Sequence, residues 1–170
     1  LHHLLRRQRQ MCIRDSVGLM IKNNDPFLIE FNVRMGDPEC QTILPTLKTD
    51  LMDIFLSCCD GTLNLTNINF SKTKSVCIVL CSKGYPTEFE NNIEIKDLEK
   101  LKLLKNQNIF HAGTLKTKNG FISNGGRVLN FVSTSDDFLK CRDETINLIK
   151  KLDWKNGYFR RDIGYKVIKI

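Results

Sequence analysis

The stretch Phe27-Leu-Ile-Glu-Phe-Asn-Val-Arg-Met-Gly-Asp-Pro-Glu-Cys-Gln41 constrains this chain more than any other. It alternates like a strand, breaks at Gly36-Asp-Pro38, and then opens a helical pattern. Glu30, Asn32 and Arg34 stand two apart, so on a strand all three share one face. Phe27, Ile29, Phe31 and Val33 take the other face, which can be buried. Asp37 and Glu39 follow just beyond. Carboxylate and amide oxygens are hard ligands that suit Mg²⁺. That ion takes few protein ligands and fills its shell with water and phosphate oxygens. A guanidinium one step along can hold a phosphate through two parallel hydrogen bonds. These are the requirements of a nucleotide-dependent phosphoryl-transfer site.

On residue types alone a plainer reading stands beside this one. Glu30 and Asn32 also suit the wet face of an ordinary strand, and Arg34 suits an ion pair with Asp37. Asp37-Pro38 serves a turn and a helix N-cap as readily as a substrate. Glu39, in the first turn of the expected helix, favours capping.

Composition narrows the class without choosing the chemistry. The chain has 170 residues, 41% hydrophobic and 26% charged, an ordinary globular balance with enough length for one fair-sized core. No apolar run approaches the roughly 18 residues of a membrane span, and no apolar h-region follows the basic N-terminus. Neither a membrane segment nor a signal peptide is expected. The net charge is +7, but residues 1–16 carry four arginines against Asp15, and the lysines from Lys72 to Lys169 are scattered without interleaved aromatics. Nucleic acid is therefore not expected as a partner. Seven cysteines, with no C-x-x-C pair and no histidine at zinc spacing, fit free thiols in a reducing cytoplasm. Cys77 and Cys81, on one face of an apolar run, are expected to be buried small hydrophobes.

Residues 1–16, LHHLLRRQRQMCIRDS, have neither strand nor helix periodicity and stop abruptly before Val17-Gly-Leu-Met-Ile21. They read as a non-native leader, with a natural basic tail as the alternative. Val17–Ile21, the turn residues Asn23-Asn-Asp-Pro26 and the site strand form a β-hairpin. Helical patterns follow over 41–47 and 50–59, the second with Leu51, Ile54, Phe55 and Cys58 on one face, Thr49 or Asp50 as N-cap and Gly61 just past its end. Residues 62–73 are polar and irregular, a candidate linker. Strands are expected at Ser75–Ser82, around Ile93 and Ile95, at Asn108–Leu115, at Phe121–Ser123 and at Val128–Thr134. A helix runs from about Phe138 to Leu152, with Leu139, Ile146 and Ile149 as its apolar face. The expected fold class is α+β.

Five blocks in order carry a family resemblance: Gly18-Leu-Met-Ile21 with Leu28 to Gln41, Lys83-Gly-Tyr-Pro86, Phe110-His-Ala-Gly-Thr114, Asn124-Gly-Gly-Arg-Val128 and Tyr158-Phe-Arg-Arg-Asp-Ile-Gly-Tyr165. Together they resemble the C-terminal part of the phosphoribosylamine–glycine ligases (glycinamide ribonucleotide synthetases), of the ATP-grasp superfamily. Met35, where the family usually has Phe or Leu, and Thr87, where it usually has Gly, are departures. Beyond the leader read over 1–16, the resemblance implies the end of an ATP-grasp core over 17–71 and a small β-rich domain with a long helix over 72–170. The rest of the parent chain would lie upstream, and the fragment alone would be inactive.

The resemblance also implies roles. Glycine would be joined to 5-phosphoribosylamine at the expense of ATP through glycyl phosphate. Glu30 and Asn32 would hold Mg²⁺ or Mn²⁺ against the ATP phosphates. Arg34 would neutralise the transferring phosphoryl group, and Asp37 would orient a substrate amine. Gly125, Gly126 and Arg127 would meet a ribose phosphate, although Gly125-Gly126 also suits a bare hairpin turn. His111 reads as a packed, hydrogen-bonded histidine, and Arg160, Arg161 and Asp162 read as docking residues. Two other classes stay open: another ATP-grasp ligase, and a non-enzymatic binding module with a basic arm.

Overall fold

The structure is a computed structural model that describes residues 16–32, 34–152 and 154–168. The expected leader, apart from Ser16, and Val33 lie outside the described residues. The fold is mixed α+β. Its contacts divide the chain into two compact units, Leu1–Cys40 with Leu47–Ser71, and Gln41–Thr46 with Lys72–Ile170.

In the first unit, β1 (Ser16–Lys22) and β2 (Asp25–Asn32) form an antiparallel hairpin. Asn23 and Asn24 join them with φ of 52° and 67°. Both lie in the left-handed region that a two-residue type I′ turn demands and that asparagine tolerates. Gly18 pairs with Glu30 and Leu19 with Leu28, so Ile29 has no partner across the ladder and forms a bulge. The face expected to be buried is open: Phe27 is 53%, Ile29 60% and Phe31 68% exposed. A two-stranded ribbon has no second layer of its own to lie against.

Helix α1 (Glu39–Ile43) runs into a 3₁₀ turn at Leu44–Thr46, shorter than the expected helix to Leu47. Helix α2 (Leu51–Cys59) starts where the Asp50 side chain accepts a hydrogen bond from Met52 N at 2.7 Å. Leu51, Ile54, Phe55 and Cys58 are its half-buried face, and Gly61 follows with φ of 69°. The expected linker is tied back at its centre. Asn69 N donates to Thr49 Oγ1 at 2.8 Å, Lys48 N donates to Asn69 O at 2.9 Å, and Phe70 bridges to Leu47.

The second unit holds β3 (Lys74–Ser82), β4 (Glu94–Ile95), β5 (Gln107–His111), β6 (Thr114–Thr117), β7 (Gly120–Ser123), β8 (Arg127–Ser135), α3 (Phe138–Leu152), β9 (Gly157–Tyr158) and α4 (Tyr165–Ile168). One sheet has the order β5-β8-β3-β9 and the other β4-β7-β6, with every pairing antiparallel. Helix α3 packs on β3 and β8. Ile78, Leu80, Val128, Leu129, Phe131, Cys141 and Leu148 make the centre of the core.

Three expectations need correction here. Strand β3 buries Val76, Ile78, Leu80 and Ser82, so Cys77 and Cys81 sit on the other face and are only half-buried. Alternation gave the two cysteines a shared face but did not say which face meets the helix. Helix α3 has the expected bounds, with Asp137 Oδ1 accepting from Lys140 N at 2.9 Å, but its inward stripe is Cys141, Thr145, Leu148, Ile149 and Leu152. Thr145 can be buried because its hydroxyl donates to Cys141 O at 2.8 Å, and Leu139 is left facing out. The single strand expected over 108–115 is two strands in two different sheets, parted at Ala112-Gly113.

Candidate functional site

Each unit carries its own cluster of candidate residues. In the first, Glu30 and Asn32 stand on the same face of β2, and Asn32 Nδ2 donates to Glu30 Oε1 at 3.0 Å. Turning the amide over presents Asn32 Oδ1 instead, so a carboxylate and an amide oxygen can meet at one point. Gly18, opposite on β1, makes room: a Cβ there would sit 3.0 Å from Glu30 Cγ. Among the described residues there is no group of three or more His, Cys, Asp or Glu that could hold a metal. Two hard oxygen donors on an open face suit Mg²⁺ or Mn²⁺, held mainly by phosphate oxygens and water, better than a metal caged by protein.

Beyond Asn32 the strand ends. The Arg34 guanidinium is exposed, with Nη1 donating to the neighbouring Met35 O at 3.3 Å. Asp37 lies in the turn, exposed, before a cis bond to Pro38. Glu39 reaches back, its Oε2 accepting from Gly36 N at 2.9 Å, while Cys40 N donates to Gly36 O at 2.9 Å. This is the backward arm of a capping box, so Glu39 acts at the helix start.

The second unit brings three of the five blocks together. Ser82 N donates to Gly126 O at 2.8 Å and Ser82 Oγ to Gly125 O at 2.9 Å. Gly113 N donates to Arg127 O at 2.9 Å, and Asn124 N donates to Gly113 O at 2.8 Å. Side chains would not fit. A Cβ on Gly113 would come within 2.6 Å of Arg127 O, and a Cβ on Gly126 would run into the Tyr85 ring. Both carbonyls of Gly125-Gly126 are thus occupied inward, while among the described residues their amides donate to no protein acceptor. Two unpartnered N–H groups beside a guanidinium form a surface suited to an anion. Arg127 is exposed at the start of β8, opposite Cys81. Burial pushes the Cys81 thiol up, and the Arg127 charge pulls it partly back.

His111, at the end of β5, is exposed rather than packed inside. Its Nδ1 lies 2.8 Å from Thr114 Oγ1, and its ring stacks on Phe121 with centroids 4.6 Å apart.

Sequence reasoning missed Ser82, Tyr85 and Gly113 as organisers of this surface. The signal for Ser82 was a polar residue closing an apolar strand. For Tyr85 and Gly113 it was their place in the recurring blocks. Thr87, a departure from the family pattern, has a local use: its hydroxyl donates to Gly84 O at 2.8 Å and closes the turn. Arg160, Arg161 and Asp162 belong to neither cluster. Arg160 pairs with Asp162 through two hydrogen bonds of 3.1 and 2.8 Å, and Arg142 Nη2 donates to Arg161 O at 2.6 Å.

A family described as phosphoribosylglycinamide synthetase, C domain, matches residues 75–166. The phosphoribosylamine–glycine ligase of Brucella melitensis is 34% identical over 152 residues, which cover 89% of this chain and 36% of that protein. The chloroplastic enzyme of Arabidopsis thaliana is 37% identical, covering 89% of this chain and 29% of its own length. The crystal structure of phosphoribosylamine–glycine ligase from Thermotoga maritima superposes with a TM-score of 0.71 at 29% identity, over 87% of this chain and 36% of that one. The chain thus spans about a third of the length of the relatives it matches. With its family match covering more than half of its length, from within β3 to within α4, the chain belongs to the phosphoribosylglycinamide synthetase C-domain family.

Proposed function

We propose that this chain is the C-terminal part of an ATP-dependent ligase that joins glycine to 5-phosphoribosylamine, a step of purine biosynthesis. The observation that carries the reading is the convergence of Glu30 and Asn32 on one face of the hairpin, 3.0 Å apart. Sequence and fold likeness to phosphoribosylamine–glycine ligases supports the choice of glycine and the ribosylamine as substrates.

A carboxylate is a poor acylating agent, so the γ-phosphoryl group of ATP moves first to the glycine carboxylate with release of ADP, and the ribosylamine nitrogen then attacks the acyl phosphate, displacing inorganic phosphate and giving up a proton. Such a transfer needs positioning and charge neutralisation more than covalent help. Glu30 and Asn32 would hold Mg²⁺ or Mn²⁺, which supplies charge neutralisation between the ATP phosphates. Arg34, exposed and donating to Met35 O at 3.3 Å, would turn to the transferring oxygens. Asp37 would accept from the substrate amine. The Gly125 and Gly126 amides, with Arg127, would hold the ribose phosphate. The remaining two-thirds of the ligase would complete the ATP pocket, in the reducing cytoplasm that the cysteine spacing favours.

The test is ADP release by an intact ligase carrying this segment. Glu30→Gln and Asn32→Ala are expected to raise the Mg²⁺ requirement at least about tenfold, the scale of disturbing a metal site. ADP release that depends on a carboxylate other than glycine would overturn the substrate assignment. Unchanged metal dependence in both variants would remove Glu30 and Asn32 from the site.

A further inference from the structure

We propose that His111 is a substrate-contacting residue, its Nε2 donating a hydrogen bond to the phosphate of the sugar phosphate held at Gly125-Gly126. The inference rests on the reading above that this surface takes a ribose phosphate.

Four observations lead to it. His111 is exposed, yet its ring is fixed on both flanks: Nδ1 is engaged by Thr114 Oγ1 at 2.8 Å, and the ring lies on Phe121 at 4.6 Å and 38°. Phe121 is itself packed on the core, so the platform beneath the imidazole is firm. Among the described residues Nε2 has no protein partner. Finally, His111 stands two residues before Gly113, whose N–H and C=O are bonded to Arg127 and Asn124. The backbone that carries the imidazole is therefore joined to the backbone that carries the open amides.

An exposed side chain held this way has lost its rotamer freedom before any ligand arrives, which lowers the cost of a contact. The tautomer in which the Thr114 hydroxyl donates to Nδ1 puts the proton on Nε2 and makes that nitrogen a donor. A phosphate oxygen is the matching acceptor. The nearby charges leave that role open. Lys116 is occupied by Glu99 at 3.5 Å and lies over Phe121, 5.6 Å from its centroid, while Arg127 adds positive charge at the start of β8.

The experiment is an imidazole ¹⁵N-resolved NMR titration of a dilute, monomeric sample of the 170-residue chain with ribose 5-phosphate as probe, beside ribose and inorganic phosphate. Ribose 5-phosphate is expected to shift the His111 Nε2 resonance, and ribose is not. His111→Ala should weaken binding about tenfold or more, the scale of a hydrogen bond to a charged group. His111→Gln, which keeps an N–H donor, should recover part of the loss. Equal binding by folded wild type and H111A would overturn the contact and leave the phosphate surface standing. An equal shift with ribose would overturn the phosphate as its acceptor. A folded wild-type chain that ignores ribose 5-phosphate would overturn the phosphate surface and this inference together.

Discussion

Gly18 leaves the space that the Glu30 side chain fills: across the hairpin, a Cβ at Gly18 would stand 3.0 Å from Glu30 Cγ. Placing a β-branched side chain there must move Glu30 relative to Asn32. In an intact ligase carrying this segment, Gly18→Val is expected to raise the Mg²⁺ concentration for half-maximal ADP release several-fold. A variant with normal metal dependence would show that the carboxylate position does not matter.

Gly126 lies against the Tyr85 ring with no room for a methyl group. Gly126→Ala should destabilise the second unit by about 1–3 kcal/mol, the usual cost of overpacking. Tyr85→Leu in the same chain should return part of that loss, because the two residues share one space. Urea midpoints of the two single variants and the double variant decide it: strictly additive losses would mean that the ring and the glycine do not meet.

Cys141 gives the fold a weakness in alkali. Burial pushes its thiol up, and the nearby Glu144 and Asp137 carboxylates push the same way, against hydrogen bonds to the backbone. Below the ordinary thiol range, folded and unfolded chains both carry the neutral form. Above it the unfolded chain ionises first, so stability falls as pH climbs toward the folded-state pKa. The urea midpoint should therefore drop between pH 7 and about pH 10, and drop less in Cys141→Ala. Parallel pH profiles for the two proteins would refute this.

Asp50 caps α2 through Met52 N at 2.7 Å. Asp50→Ala is expected to cost about 1 kcal/mol, and Asp50→Asn much less, since an amide oxygen can take the same hydrogen bond. Helical ellipticity and urea midpoints read the difference. Equal losses in both variants would point to charge rather than capping.

The sequence made local geometry legible wherever one rule acted alone. The two-residue spacing of Glu30 and Asn32 placed them together, and Asp50 and Gly61 bracketed α2 as capping chemistry requires. Legibility stopped where a tertiary neighbour decided. Arg34 lies past the end of β2, so alternation no longer governs where it points. The inward stripe of α3 includes Cys141, whose Sγ donates to Lys74 O on β3 at 3.4 Å, and Thr145, whose hydroxyl donates one turn back in the helix, and a hydrophobicity pattern undervalues both. The break at Ala112-Gly113 coincides with the close approach of Gly113 to Arg127 O, a contact made across two intervening strands and not between sequence neighbours. The fixing of His111 by Phe121 is invisible for the same reason.

The hairpin has a practical consequence for anyone handling this chain. Leu19, Met20, Ile21, Phe27, Leu28, Ile29 and Phe31 are all more than half exposed on a ribbon of only two strands. Such a ribbon is a template for further strands and a sticky one. At high concentration the chain should self-associate through β-pairing, gaining sheet signal as it leaves solution. Dilute samples, mild salt and a charged residue at Phe31 would keep it monomeric long enough to be studied.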